Sequence, residues 1–378
     1  MKKYLNQQDM KDRNSTNVFR LIRKQGPLTR RQIEAETGLS WGAVSNVTAR
    51  LLELGYVRER RDADAAQTAS AQMVAGRTPI YLEADDETYF VIGLDLNGAG
   101  LRAVRMNLCG EVVDTVTAPA CHGDRETLLQ ATRDLMRAIL DGADGKRVLC
   151  VGVAIQGEVD AQNGISIRFP RCKGWHDVPL ATILEEEFGL PTFLEHDPNC
   201  TLFAHSAPSG LDEAILLRID SGIGMAVMMN GRIFERLGAF ELGHTCVRPQ
   251  GALCACGSRG CLELYASMTG LSERAGVPFD ELADRARHGD ADTVAYFREM
   301  AECLALATVN AARLLNVRTV VLCGDMLEMR DLFYDRLIAE STRLARDFRL
   351  SFSVTDVANA ALGGAMIALE RYSLHLEG

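Results

Sequence analysis

The stretch HTCVRPQGALCACGSRGCLE, residues 244–263, places one histidine and four cysteines close together in the chain. Cys254, Cys256 and Cys261 follow a C-x-C-x4-C spacing, with Gly257 and Gly260 between them allowing the backbone to curl until three thiolates converge. Three sulfurs on one tight turn are the donor set of a structural metal, and they need a fourth ligand. The surrounding chemistry fits a reducing compartment. No apolar stretch follows MKKYLNQQDMKDRN, so no export signal is read, and a cytoplasmic location is expected. There the eleven cysteines, an odd number, read as buried small hydrophobes or metal ligands and not as a disulfide framework.

At 378 residues the chain exceeds one simple core, and two or three domains are expected. Hydrophobic residues at 47% and charged ones at 24% exclude a disordered chain. No apolar run approaches the roughly 18 residues of a membrane span, so no membrane partner is expected. The net charge of −10 is unevenly distributed, because residues 1–83 hold 14 Lys/Arg against 9 Asp/Glu. A basic amino-terminal segment on an acidic body suits a nucleic-acid-binding module joined to a sensor or an enzyme.

Residues 16–57 read as three helices. The first, TNVFRLIRKQG, sets Val18, Leu21 and Ile22 on one face and stops at Gly26-Pro27. In TRRQIEAETGLS, Thr29 and Gln32 have the spacing of a capping box, and Gly38 makes the turn. Ser40 then caps SWGAVSNVTARLLELG, where Val44, Val47, Leu51 and Leu54 form the apolar stripe and Gly55 ends the helix. Gly42, Ser45, Asn46 and Ala49 are left facing out, flanked by Ser40, Trp41 and Arg50. Small hydrogen-bonding side chains with one cation suit the major groove of operator DNA better than the Glu and Lys of a solvated face. YVRERR and TPIYLEA follow as two strands around a polar wing, whose Arg77 is placed to enter a minor groove. The expectation for residues 1–83 is a winged helix-turn-helix.

From Tyr89 the texture changes. YFVIGLDLNGAGLRAVRMNLCGEVVDTVTA reads as three antiparallel strands turning at Asn97-Gly98 and Cys109-Gly110, followed by a helix and the buried strand RVLCVGVAI. A second copy of the theme opens at AILLRIDSGIGMAVMMNGRIF, suggesting an internal duplication of α/β lobes with a ligand cleft between them. From Asp280 the chain reads as mostly helical, with one strand in RTVVLCGDM.

GLDLNG (93–98), EHDPN (195–199), ELGH (241–244) and CACGSRGCLE (254–263), together with the winged helix, resemble the ROK family of repressors and sugar kinases over nearly the whole chain. The resemblance implies an α/β fold: a two-lobed, actin-like (ribonuclease H-like, sugar-kinase) domain with a structural zinc, behind a winged helix. It implies a division into residues 1–83, a first lobe of 84–200 rejoined by a carboxy-terminal helix within 355–378, and a second lobe of 201–354. It supplies His244 of the E-x-G-H motif as the fourth zinc ligand beside Cys254, Cys256 and Cys261, leaving Cys246 for the core. It also carries the family's sugar-binding positions onto His196, Asp197, Glu241, His244 and Glu263. His196 replaces the usual amide and Phe240 the usual glycine, enlarging the side chains around the pocket. The expected sugar is therefore smaller than glucose or differently substituted. Arg168, Arg171 and Lys173 lie where a phosphorylated sugar would reach them, although a charge run more often forms a solvated loop.

Asp197 matches the general base of the family's kinases, so an ATP-dependent sugar kinase is the alternative function. The phosphate loops argue against it. The first reads Asp95-Leu96-Asn97-Gly98-Ala99-Gly100, without the kinases' hydroxyl and lysine. In the second, Asp220-Ser221-Gly222-Ile223-Gly224-Met225, an aspartate would repel phosphate and a methionine would crowd it. The expected protein is a sugar- or sugar-phosphate-responsive repressor and not an enzyme. Its expected partners are double-stranded operator DNA and a second copy of itself, in a homodimer or a tetramer.

Overall fold

The computed structural model describes residues 7–60, 79–98, 100–120, 123–142, 147–170, 172–234 and 240–374. At the amino end, α1 (Gln7–Gln25), β1 (Leu28–Thr29), α2 (Arg30–Thr37), α3 (Trp41–Glu53), β2 (Val57–Arg60) and β3 (Tyr81–Ala84) form a winged helix with the antiparallel strand order β1-β3-β2. Local chemistry fixes each joint. Thr29 and Gln32 form the reciprocal capping box, Gly38 ends α2 at φ 67°, and Ser40 caps α3 by accepting from the Ala43 N–H. The first helix starts at Gln7 instead of Thr16, and β1 is too short to leave a periodic signal. On α3 the buried stripe is Val44, Thr48 and Leu51, with Val47 and Leu54 half-buried. Thr48 fits the apolar side because its hydroxyl donates to the Val44 carbonyl at 2.8 Å and accepts from Arg30 Nε at 2.9 Å.

The body holds two five-stranded sheets. The first contains β4 (Tyr89–Asn97), β5 (Gly100–Asn107), β6 (Val112–Pro119), β7 (Arg147–Ile155) and β11 (Thr192–His196) in the order β6-β5-β4-β7-β11. Between these strands the chain makes α4 (Arg125–Asp141), α5 (Leu180–Phe188) and a side sheet of β8 (Glu158–Asp160), β9 (Ile165–Arg168) and β10 (His176–Val178). After α6 (Asp197–Ser206), the second sheet is built from β12 (Ala214–Ile219), β13 (Ile223–Met229), β14 (Arg232–Ile233), β15 (Thr319–Cys323) and β16 (Ser351–Val354), in the order β14-β13-β12-β15-β16. In both sheets the first three strands run as an antiparallel meander and the last two are parallel to the first. The same order in both sheets bears out the expected duplication. The second lobe also carries α7 (Leu262–Ala266), α8 (Met268–Ala275), α9 (Phe279–Arg287), α10 (Ala291–Leu315) and α11 (Arg330–Leu344). Its last part has two strands instead of the expected one. The sequence of β16, SFSV, is short and half-exposed at a sheet edge, so it lacks the apolar run that marks a central strand.

The last helix, α12 (Asn359–Arg371), returns to the first sheet and packs on β4 and β7. Glycines make this possible: a Cβ on Gly152 of β7 would lie 1.9 Å from the Gly364 carbonyl oxygen. A single hydrophobic core runs from Val18, Phe19, Ile33 and Leu51 of the winged helix through Tyr89, Val91 and Met106 to Leu369 and Leu374. Tyr56 stacks on Tyr89 with ring centroids 4.4 Å apart, and the Tyr89 hydroxyl donates to the Leu54 carbonyl. Arg20 and Arg23 of α1 bond to Glu370 of α12, and the Leu374 N–H donates to Thr16 Oγ1 at 3.0 Å. The winged helix is thus seated on the first lobe, sharing its core.

Candidate functional site

The turn that carries the candidate metal ligands is compact. His244 Nδ1 lies 3.7 Å from Cys254 Sγ, Cys256 Sγ lies 3.6 Å from Cys261 Sγ, and the four donor atoms all lie within 4.8 Å of one another. A tetrahedral ion with bonds of about 2.3 Å to sulfur separates its ligands by roughly 3.8 Å, so the donor set fits such an ion. Gly257 and Gly260 adopt φ of 89° and 70°, and a Cβ on Gly260 would strike the Arg248 carbonyl. Hydrogen bonding to the Ser258 backbone draws the Cys256 thiol down toward its thiolate form. Cys246 is exposed and not in the core; it pairs through its backbone with Cys261, and the cluster of donor atoms is formed without it.

A short 3-10 turn, Leu242–His244, joins this knot to the cleft. His244 turns its other ring nitrogen outward, and Nε2 lies 3.8 Å from Glu241 Oε2. Glu263, at the start of α7, accepts the Ile223 N–H at 3.3 Å. A Cβ on Gly222 would come within 2.9 Å of Glu263 Oε2, so a larger residue there would displace that carboxylate. On the other lobe, the turn from β11 into α6 presents His196 and Asp197. Glu195 braces it, accepting from the His196 N–H and from Asn199 at 2.8 Å each, and from Arg371 of α12 at 2.5 Å. His196 Nε2 is 3.6 Å from Asp197 Oδ1. Burial lowers the His196 pKa, opposed by the charges of Asp197, Glu195 and Glu241. Of the five positions expected to meet a sugar, His196 and Asp197 lie on the first lobe and Glu241, His244 and Glu263 on the second, and the Glu241 charge is near enough to act on His196. Phe240 lies beside Glu241, its ring 5.9 Å from that of Phe234.

Two expectations change on the nucleotide side. Met225 does not crowd the cleft; strand alternation on β13 turns it with Ile223 and Val227 into the second lobe's core. Asp220 is not an isolated negative charge, because Arg218 Nε donates to it at 2.5 Å. Arg218 also reaches the first lobe, donating from Nη1 to Asp197 Oδ2 at 2.6 Å, with both side chains buried. Sequence reading missed this residue, although an arginine inside the apolar strand AILLRI was a visible signal. In the first loop, Gly98 N–H donates to Gln156 Oε1 and Gly100 N–H to Asn97 Oδ1. Backbone amides suited to cradling phosphate there already have partners inside the protein. Arg168 and Lys173 are exposed on or beside the small side sheet, and Arg171 lies outside the described residues.

On the winged helix, Trp41, Gly42, Asn46 and Ala49 are exposed on α3, while Ser45 and Arg50 are half-buried. Trp41 is 50% exposed, unusual for a large aromatic without a partner surface. The exposed Ser40 is engaged as the helix cap, and Arg50 donates to Glu53 at 2.8 Å. Arg77 and the wing tip lie outside the described residues.

Comparison with known proteins agrees with this geometry. The ROK family profile matches residues 91–369, and the MarR family profile matches residues 9–67. The chain is 25% identical over 390 residues to the xylose repressor of Caldicellulosiruptor bescii, covering 95% of this chain and 96% of that protein. It is 30% identical over 279 residues to the glucokinase of Thermotoga maritima, covering 65% of this chain and 85% of the relative. Among solved structures, a ROK family transcriptional regulator homologous to the E. coli MLC protein superposes with a TM-score of 0.79 at 19% identity, covering 96% of this chain and 97% of that one. The fold is mixed α/β, a winged helix followed by the two-lobed, actin-like body of that family.

Proposed function

The chain belongs to the ROK family, and we propose that it is a sequence-specific transcriptional repressor of carbohydrate-use genes whose operator affinity is set by a sugar or sugar phosphate bound between the lobes. One observation carries this reading: a winged helix with an exposed recognition face is built into the same core as the lobe that presents His196 and Asp197 to the cleft. Full-length similarity to a protein named xylose repressor supports the same conclusion.

In this reading residues 1–83 bind DNA, and the lobes are 84–200 with 355–378, and 201–354. Ser40, Trp41, Gly42, Ser45, Asn46, Ala49 and Arg50 of α3, with Arg77 from the wing, meet the operator. His196, Asp197, Glu241, His244 and Glu263 meet the sugar, whose hydroxyls each both donate and accept. His244, Cys254, Cys256 and Cys261 hold zinc, which takes four protein ligands here and so has no open position for catalysis. Its role is to aim His244 Nε2 and Glu263 at the cleft. A symmetric dimer would bring two recognition helices to two half-sites. The protein is not an enzyme in this reading.

Coupling has a physical route. A Cβ on Gly363 of α12 would lie 1.8 Å from the Cys200 carbonyl oxygen of α6, so those backbones touch. Asp197 opens α6, and Glu370 near the end of α12 bonds to Arg20 and Arg23 of α1. A ligand that moves the head of α6 therefore acts on the winged helix through α12, to the extent that it binds the two arrangements with different affinity. Thermal-shift screening of the full chain across sugars and sugar phosphates, followed by operator binding with each hit, tests the proposal. A hit should alter operator affinity. Sugar-dependent ADP formation from ATP and magnesium would overturn the non-enzymatic reading.

A further inference from the structure

The floor of the cleft carries a charge arrangement that sugar recognition does not explain. Arg218, on β12 of the second lobe, crosses to Asp197 of the first lobe through Nη1 and bonds to Asp220 of its own lobe through Nε. Asp95, from β4 of the first lobe, is also close enough for its charge to be felt by Arg218. Asp95 is buried, and its Oδ1 has no hydrogen-bond partner among the described residues, while Oδ2 accepts from Asn97 Nδ2 at 3.1 Å. Two carboxylates, one from each lobe, thus bind one guanidinium, and a third carboxyl lies within range of its charge.

Such a junction of carboxylates at the mouth of two glycine turns is where a divalent cation with its phosphate would be expected to sit in a phosphoryl-transfer site. We propose that Arg218 is the resident cation of this cleft: it binds Asp197 and Asp220 across the interlobe gap, holds Asp197 as a fixed acceptor for a ligand hydroxyl, and fills the junction that a metal-bound phosphate would need. This rests on reading the cleft as the ligand site. Arg218 is a positioning residue, acting on the ligand through Asp197.

The energetics support the assignment. Burial opposes the Arg218 charge, but the carboxylates of Asp197, Asp220 and Asp95 outweigh it and raise the pKa, so the guanidinium stays charged. A divalent cation would have to enter beside that fixed positive charge in a site with little water to screen it. The same donors also orient the acids: Asp220 Oδ1 accepts the Asp325 N–H at 2.5 Å, leaving Oδ2 for Arg218. Specificity follows from this. The ligand is recognised through neutral hydroxyls at Asp197, and the place of a magnesium ion is already taken by the guanidinium.

The test uses the full chain with Mn2+ as the probe, followed by electron paramagnetic resonance at pH 8. Arg218→Gln, which removes the charge at similar length, should gain one Mn2+ site per chain, roughly tenfold tighter than any wild-type binding, and Asp220→Asn in that background should abolish the gain. Arg218→Lys, which keeps a cation, should remain like wild type. If Arg218→Gln does not fold by far-UV circular dichroism, adding Asp95→Asn should restore folding, because it removes one uncompensated carboxyl. A folded Arg218→Gln protein without the Mn2+ gain, a Lys variant that binds Mn2+ as tightly as the Gln variant, or an unfolded Gln variant that Asp95→Asn fails to restore would each overturn the assignment. These readouts are independent of sugar: a wild-type chain that shifts with no sugar refutes the carbohydrate reading and leaves the Mn2+ result standing.

Discussion

The two five-stranded sheets share one strand order, yet they place different side chains at the gap between them. The first sheet delivers carboxyl groups, Asp95 from β4 and Asp197 just past β11, and carries the winged helix on its back through α12. The second delivers a buried cation, Arg218 from β12, with its own carboxylate Asp220 and the His/Cys turn that carries His244 and leads to Glu263. Asp95 and Arg218 lie near the ends of corresponding strands, β4 and β12, so duplication explains where these two residues are. It does not explain what they are. One side chain on the first strand of the second sheet, Arg218, gives this cleft its own counter-charge beside Asp197 and Asp220.

That contrast can be broken most severely on the second lobe. Cys261→Ser should reduce zinc, measured by elemental analysis, from one per chain to near none, and should lower stability by several kcal/mol in a thermal melt, because a closed structural site contributes directly to folding. Should zinc be absent from wild type, the rigid half of the comparison fails. Next is the recognition helix on the first lobe's side. Asn46→Ala should weaken specific operator binding by about 1–3 kcal/mol while leaving the sugar-induced thermal shift unchanged. Equal loss of both responses would deny that the two functions are divided between regions.

A smaller effect sharpens the electrostatic difference. Burial pushes the Asp95 carboxyl up to about 7, with Arg218 opposing the shift and Asp197 adding to it. A carboxyl whose folded pKa lies above its unfolded value binds extra protons when folded, so this contribution stabilises the protein at acid pH and is lost as pH rises through about 7. Asp95→Asn should therefore stabilise the protein at pH 8 by about 1–3 kcal/mol relative to wild type, with the difference shrinking toward pH 4, as measured by denaturant titration. A pH-independent difference would contradict the buried-acid account. The mildest change is at the joint between the regions. Glu370→Gln, which removes the charge pairing of α12 with Arg20 and Arg23 but keeps the Arg20 bonds to backbone carbonyls, should cost about 0.5–1 kcal/mol in stability. It should visibly reduce the effect of a bound sugar on operator affinity, read by fluorescence anisotropy.

Much of the architecture was legible because it is local. Capping residues, glycine turns and the period of apolar side chains are encoded within a few positions, so α2, α3 and the β4–β6 meander could be read directly from the chain. The short edges, β1 and β16, could not, since neither spans enough residues to show a period. Cys246 and Met225 were misjudged for a related reason: residue type gave their chemistry, but the phase of the strand or turn decided which way each points.

By itself the sequence marked the His/Cys cluster of residues 244–261, the second helix of the helix-turn-helix, the two-lobed body and five candidate ligand positions, because each is written in a motif of closely spaced residues. Only the tertiary structure decided that Arg218 meets Asp197 across the gap, that the winged helix shares the first lobe's core, and that α12 ties that module to the cleft. Those contacts join residues far apart in the chain, and their partners are chosen by how sheets and helices stack, which local spacing does not encode.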